Sequence, residues 1–324
     1  TDRLYYTGDD YPRVGTYATL VAGSNGYPNT SYRLGVPAPS AAPTVVINNA
    51  ADDDLTPDDV SYVYTLVTVF GEEGPPSSPS GAVEKDNGQT ATLTLATGSL
   101  PSGNYNFRAG AKKRIYRSNT GSTNTRFQFV AEVSYNATSY TDITESALLG
   151  EVLPSDTWIG PPDDDTNLYP DGPLQGLIPL AQGVMAGFTG KRFCLSEPFL
   201  PHAWPIQYRI TTEEDIVAIA GTANGVVALT NGRPYFITGT DPSAMSAIRI
   251  DLAQACVNSR SVVDMGDYII YAGPDGLCTV QGTQGVVATQ GQISAKQWND
   301  DFNPTTIRAF KHEGTYVAFH DGGG

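Results

Sequence analysis

Histidine side chains are the first candidates for chemistry in this 324-residue sequence, because imidazole can act as a general base or as a metal ligand. His202 lies beside Trp204 in a corner of prolines and aromatic rings, which favours a packed histidine over a base. His312 and His320 flank one predicted hairpin, with Asp321 beside the second. A metal site there would need a further ligand that the sequence does not place. The histidines therefore predict no catalytic or metal site.

Carboxylate runs and arginines offer two other kinds of site. Asp52–Asp54 and Asp163–Asp165 supply oxygen ligands of the type that calcium prefers, but neither run has the ligand spacing of an EF-hand loop. Both runs lie in segments predicted as hinges, where we expect them to be solvated linker charge. Three arginines could pair with carboxylates, either within the chain or across subunits: Arg192, Arg209 and Arg233.

Sequence motifs for catalysis are absent. The chain has no G-x-S-x-G, no H-E-x-x-H, no phosphate-binding loop and no dinucleotide fingerprint. It also lacks the repeated S-x-D-x-G-x-x-W signature typical of propeller sialidases. Asn136-Ala137-Thr138 matches the N-glycosylation pattern. The sequence therefore predicts a protein that is not an enzyme, with no catalytic, cofactor-binding or metal-binding residues and no cofactor.

Cysteine usage indicates buried free thiols. Cys194, Cys256 and Cys278 each lie in an apolar, strand-like run, and the chain contains no C-x-x-C. No signal-peptide pattern and no apolar run near 18 residues is present, so we expect no membrane insertion. The sequence starts at Thr1 without Met and ends in three glycines after a strand-like run, so we expect a piece of a longer protein.

The composition predicts an all-β protein. Strand-forming and turn-forming residues are plentiful, with 18 Tyr, 34 Gly and 23 Pro, whereas Met numbers only 3. The charged fraction of 16% is low, since about a quarter is usual for globular proteins. A net charge of −15 repels phosphate, so stable binding of nucleic acid or of an anionic membrane through a basic patch is not expected. That charge is compatible with a channel along which DNA slides without sticking.

Four regions are predicted along the chain. Residues 1–43 supply N-terminal strands and a Pro/Ala/Ser linker, and we expect them to join the propeller-like domain. Residues 44–155 contain short alternating strands between turn signals, which predict a small β-sandwich. Residues 156–183 form a proline-rich hinge. Residues 184–324 contain repeated propeller-like β units, which we expect to be truncated at the C-terminus.

The repeat in the last region is a strand pair around a glycine-containing turn, recurring every roughly forty residues, the blade length of a β-propeller. A run of unrelated hairpins in a sandwich is the alternative. One helix is predicted over Ile293–Phe302, capped by Ser294, with Trp298 and Phe302 packing on the sheet. The repeated pairs are Val184–Phe188 with Arg192–Leu195, Gly225–Leu229 with Tyr235–Ile237, Asp267–Tyr271 with Leu277–Val280, and Ile307–Phe310 with Tyr316–His320.

Two family resemblances add to this interpretation. The strand and loop order of residues 44–155 resembles a fibronectin type III-like or immunoglobulin-like domain. Short motifs elsewhere resemble the tail nozzle, or tail tubular protein B-like, family of podovirus-type tailed bacteriophages. These motifs are Arg3–Asp9 with Pro12–Val14, Tyr32–Pro39, Gly190–Phe193, Ser196–Pro198 and Pro201–Pro205.

The second resemblance implies a structural virion protein of the phage tail, in a homohexameric ring that conducts DNA during genome ejection. It implies contacts with tail adaptor or portal-side proteins and with tail fibres, and transient contact with genomic DNA in the lumen. Membrane contact is implied only at the host-surface end. Two other functions remain open at this point: a host-receptor or glycan-binding tail or adhesin module, and a propeller glycosidase.

Overall fold

The computed structural model describes residues 2–23, 27–50, 57–86, 88–96, 103–120 and 125–321. The fold is all-β, with antiparallel sheets and short helices. It combines a small immunoglobulin- or fibronectin-like β-sandwich with a partial propeller-like platform, as the sequence predicted. No helix among the described residues has the length and apolar character needed to cross a membrane. The carboxylate run Asp52–Asp54 lies outside the described residues.

The chain divides into two compact units. The first unit contains Thr1–Tyr5, Arg13–Pro161 and His202–Pro205. The second contains Tyr6–Pro12, Pro162–Pro201 and Ile206–Gly324. The four sequence-derived boundaries stay predictions.

The N-terminal strands pair with one another in a three-stranded sheet of order β1-β2-β3. The expectation that residues 1–43 join the propeller-like domain stays a prediction. A short helix follows β2, and the side chains of Thr16 and Thr19 each bond the other's backbone in a capping box. The elements are β1 (Arg3–Tyr6), β2 (Arg13–Thr16), α1 (Tyr17–Leu20) and β3 (Tyr32–Arg33).

The sandwich packs two three-stranded antiparallel sheets face to face. Its strands are β4 (Thr44–Asn48), β5 (Asp58–Val60), β6 (Tyr62–Val67), β7 (Val83–Lys85), β8 (Thr90–Thr94), β9 (Lys112–Thr120), β10 (Thr125–Ser134) and β11 (Ser139–Asp142). One sheet has the order β10-β9-β6 and the other β11-β8-β4, while β5 and β7 form a separate pair. Alternating residues of β8, Ala91 and Leu93, are buried against Tyr64 and Ile115 of the facing sheet, as expected for a strand with one face in the core.

The second unit contains three consecutive four-stranded sheets, each with its strands in chain order. The first has β12 (Gln175–Pro179), β13 (Met185–Thr189), β14 (Arg192–Leu195) and β15 (Ile210–Thr211). The second has β16 (Ile216–Thr222), β17 (Gly225–Thr230), β18 (Tyr235–Thr238) and β19 (Ser246–Arg249). The third has β20 (Val263–Asp264), β21 (Ile269–Ala272), β22 (Leu277–Gln281) and β23 (Gln284–Val287). Such up-and-down four-stranded sheets are the blades of a propeller.

Neighbouring blades bury apolar faces against each other. Phe188 and Phe193 of the first blade pack with Val226 and Ile237 of the second. The opposite face of the second blade, which includes Phe236, packs in the same way on the third. The first strands β12, β16 and β20 lie next to one another along the blades. Each blade is therefore stabilised mainly by its neighbours.

A helix and a two-stranded ribbon follow the third blade. The helix α2 (Ala295–Phe302) begins at Ser294, whose hydroxyl accepts a 3.2 Å hydrogen bond from the Gln297 backbone N–H, so the predicted cap is confirmed. Trp298 is buried, and its ring stacks on that of Phe302 with centroids 5.5 Å apart. The ribbon consists of β24 (Arg308–His312) and β25 (Thr315–Phe319).

Two of the four predicted hairpin turns place a glycine in the left-handed region of φ. Gly190 and Gly314 adopt φ angles of 51° and 79°, in the region that favours glycine. At the Asn231-Gly232 turn, neither residue has a positive φ. There the Thr230 hydroxyl accepts a 3.0 Å hydrogen bond from the Gly232 backbone N–H and holds the turn through a side chain.

Candidate functional site

His202 is a packed histidine. It is 3% exposed, and its Nε2 lies 3.1 Å from the Glu73 carbonyl oxygen, to which the neutral ring donates. The Trp158 ring meets the imidazole edge-on with centroids 6.0 Å apart. Burial lowers the pKa of His202 to about 4, since the interior disfavours the charged ring. A neutral, enclosed imidazole with its N–H committed to a carbonyl is suited to structure rather than to proton transfer.

The corner around His202 is equally enclosed. Trp204 and Ala203 are fully buried, and the Trp204 backbone N–H donates a 2.7 Å hydrogen bond to the Ile159 carbonyl. The preceding residues, in the second unit, form a tight loop that is closed by an isolated β-bridge between Glu197 and Leu200. Phe199 in this loop is 77% exposed. The corner is therefore packed interior of the first unit, whereas the loop in the second unit exposes one aromatic ring.

The structure does not bring His312 and His320 together. His312 pairs with Thr315 at the turn end of the ribbon, whereas His320 follows Phe319 at the other end. Four strand residues separate the two ends, which is roughly 13 Å along a strand. The His320 ring contacts Phe302, with centroids 5.3 Å apart. The Asp321 backbone N–H donates to the Thr306 hydroxyl.

Metal ligands do not converge elsewhere either. Among the described residues, no group of three or more His, Cys, Asp and Glu side chains is placed to hold a metal ion. Within the run Asp163–Asp165, the Asp163 carboxylate accepts a 3.0 Å hydrogen bond from the Asp165 backbone N–H. The Asp165 carboxylate accepts one of the same length from Asn167. These carboxylates shape a local turn.

The three cysteines are buried free thiols. Burial raises the pKa of Cys194 to about 11 and the pKa values of Cys256 and Cys278 to about 12. A thiol that stays protonated at neutral pH is a poor nucleophile and a poor metal ligand. Cys194 and Cys278 lie in blade strands, whereas Cys256 lies between the second and third blades rather than in the predicted strand, and all three side chains act as small apolar groups.

Two of the three arginines singled out from the sequence pair with carboxylates within the chain, and the third lies against a tyrosine ring. Arg192 forms an ion pair with Asp171, and Arg233 forms one with Asp251. The Arg209 guanidinium lies 5.3 Å from the centroid of the Tyr169 ring. Asn136 of the glycosylation pattern is exposed just after β10.

Sequence reasoning missed a buried charge network in the sandwich. Arg117 and Asp142 form a 2.5 Å ion pair in which both side chains are fully buried. Asp142 also accepts a 2.8 Å hydrogen bond from the Tyr62 hydroxyl. The Arg117 guanidinium donates a further bond of 2.9 Å to the Thr144 carbonyl. The sequence indicated only that an arginine lies within a predicted strand. It could not predict the partner of that arginine, because Asp142 lies 25 residues further along the chain.

A second missed feature is an open groove in the second unit, with a volume of about 1130 Å³. We call it the inner groove, because it runs over the first strands of the three blades. Ile178 of β12, Val217 and Ile219 of β16 and Val262 beside β20 supply its apolar lining. Asp264 is the one charged side chain among its lining residues. The signal available in the sequence was the lack of charge in β12 and β16.

Comparisons with known proteins give little support for any family. No protein-family model matches the sequence. No curated protein matches it either. Among solved structures, the chain is similar to YCF48 from Cyanidioschyzon merolae, at 12% identity and a TM-score of 0.35. The match covers 74% of this chain and 83% of that one. A likeness this low does not establish a shared fold.

Proposed function

We propose that this chain is a structural subunit of a bacteriophage tail nozzle. In this proposal six copies form a ring in the virion tail that conducts DNA outward during ejection, and the chain carries out no catalysis. The proposal rests on the short sequence motifs that resemble those of that family, above all Gly190–Phe193 and Pro201–Pro205. The first motif forms a blade hairpin, and the second is a buried corner in the structure.

The architecture supports a structural role. The β-sandwich and the run of blades each supply sheet surfaces, which suit contacts between subunits and with neighbouring virion proteins. The histidines and cysteines offer no reactive group, because each is either packed, separated from the others or held as a protonated thiol. Tail adaptor or portal-side proteins and tail fibres are the partners that this role requires.

The charge supports a conduit. A chain of net charge −15 repels the phosphate backbone, so DNA passing through a ring of such chains would meet little adhesion. Transient contact during ejection is compatible with that repulsion, whereas tight storage of DNA on the wall is not.

Electron microscopy of the purified chain, together with a DNA-retention assay, tests this function. We expect rings with an open lumen, and we expect duplex DNA to pass over the immobilised protein without retention at about 0.15 M salt, where nonspecific binders still hold DNA through phosphate contacts. A cationic DNA-binding protein on the same support is the control. Stable retention of DNA in that salt would overturn the conduit.

A glycan-binding tail module is a second candidate, favoured by exposed aromatic rings. Tyr17 is 71% exposed and Phe199 is 77% exposed, and such rings can stack on sugars. A glycan array probed with the chain and with Phe199→Ala separates the two functions. If the parent chain binds a glycan and the substitution abolishes that binding, the glycan-binding function is favoured. If the parent chain binds no glycan on the array, that function is excluded.

A further inference from the structure

The ribbon β24–β25 buries one face and exposes the other. Because side chains alternate along a strand, Ala309 lies on the opposite face to Phe310. The Ala309 face packs against Trp298 and Ile307. On the other face, Phe310 is 49% exposed and Phe319 is 62% exposed, and their rings stack with centroids 6.0 Å apart. We call this second surface the aromatic face.

This exposure departs from the pattern of the blades. In the blades, the aromatic rings Phe188 and Phe193 face the second blade, and Phe236 faces the third, so these faces are covered. The aromatic face has the same kind of composition, yet both of its rings are exposed. Two stacked, solvent-exposed phenylalanines on a rigid strand pair are typical of a protein contact site.

A free cation lies beside the aromatic face. Arg308 pairs directly across the ribbon with Phe319, so both side chains share that face. Arg308 is exposed, and its guanidinium makes no hydrogen bond or ion pair with any residue that the structure describes. On a chain of net charge −15, this arrangement favours a partner surface that is apolar with an acidic group.

The inner groove has that complementary character. Its apolar lining comes from side chains such as Ile178 and Val217, and Asp264 supplies the single charge. Asp264 is exposed, and the exposed Asp241 lies next to the lining residue Thr240. Gly221 on β16 leaves space, because a Cβ added there would meet only the Ile178 side chain, at 3.9 Å.

We propose that the aromatic face of one copy of this chain seats in the inner groove of a second copy, with Arg308 facing Asp264. The proposal rests on the ring assembly proposed above and names the surfaces that build it. Ribbon and groove are different surfaces of the same unit, so the contact is head-to-tail, and head-to-tail contacts generate rings when the rotation closes. DNA is a poor occupant, because Asp264 would face its phosphates.

Two single substitutions separate the two sides of the contact. Phe319→Ser removes an exposed ring, and Gly221→Trp fills the groove without a backbone clash at Cβ. Gly221→Ala is the matched control for the groove. Leu148→Ser removes a 71% exposed side chain from the first unit and is the control for the ribbon. Circular dichroism and thermal unfolding of every variant confirm that each folds like the parent chain.

Native mass spectrometry of the variants, alone and mixed, tests the contact. We expect Phe319→Ser and Gly221→Trp each to weaken association by at least about 30-fold, the loss typical of a central aromatic contact, while both controls assemble like the parent. An equimolar mixture of the two variants should give only one-to-one dimers. One intact ribbon and one intact groove remain in that mixture, and they can meet only once.

The outcomes distinguish the contact from the function. If both variants still form rings, this contact would be overturned, but the proposed nozzle function would not. If the parent chain forms only dimers and both variants are monomeric, the contact would be supported and the ring overturned. A mixture that stays monomeric would contradict the head-to-tail arrangement. A parent chain that is monomeric at every concentration would overturn both proposals.

Discussion

At the residue scale, the sandwich core places charge where apolar packing would be expected. The Arg117–Asp142 pair joins β9 of one sheet to β11 of the other, and both side chains are fully buried. Removing water from two charges is costly, and hydrogen bonds from the Tyr62 hydroxyl to Asp142 and from Arg117 to the Thr144 carbonyl offset part of that cost. Its role is to fix how the two sheets meet.

Breaking that pair should strongly destabilise the chain. We expect Arg117→Met to lower the free energy of unfolding by about 3–5 kcal/mol, because Asp142 would be left buried without its partner. Urea unfolding followed by tyrosine and tryptophan fluorescence measures the change. Arg249→Met, which breaks the exposed pair with Glu213, is the control and should cost less than about 1 kcal/mol. Equal effects of the two substitutions would contradict this account.

His202 should make the stability depend on pH. Its folded pKa of about 4 lies below the value of about 6.5 in the unfolded chain, so between these values the unfolded chain binds more protons. Stability contributed by the neutral ring is therefore present above pH 6.5 and is lost as the pH falls towards 4. Relative to His202→Gln, which keeps an N–H donor for the Glu73 carbonyl, the parent should lose about 2 kcal/mol between pH 7.5 and 5. Parallel pH profiles of the two proteins would show that His202 is not responsible.

At the element scale, hairpins were the most predictable part of the fold. Their signals are local: alternating apolar residues and a glycine at a fixed position in the turn. The strand Arg192–Leu195 and the helix capped by Ser294 appear where the sequence placed them. The Arg117–Asp142 pair and the inner groove could not be predicted, because each depends on residues distant in sequence that meet only in the folded sheets.

Two of these turns should respond differently to the same substitution. Gly314 has a φ of 79° with no atom within 4 Å of an added Cβ, so Gly314→Ala should cost only the backbone strain, about 1–2 kcal/mol. Gly190 has a φ of 51°, and an added Cβ would lie 2.8 Å from the Asp171 Cβ. Gly190→Ala should therefore lower the unfolding midpoint in urea further than Gly314→Ala. The reverse order would contradict the described turn geometry.

At the scale of the whole molecule, net charge and exposed aromatic surface act in opposite directions. A charge of −15 makes copies of the chain repel one another, whereas the aromatic face and the inner groove are the surfaces through which we propose that copies associate. Association between copies should therefore strengthen as salt screens the repulsion over about 10 Å or less. In the proposed ring, the same charge would repel the phosphates of DNA.

The mass of the assembled chain tests the central claim most directly. Native mass spectrometry over a range of protein and salt concentrations should show a species of six copies of the 34.4 kDa chain, which becomes more populated as salt rises. That result would agree with a ring-forming nozzle subunit. A chain that remains a 34.4 kDa monomer under all of these conditions would contradict it.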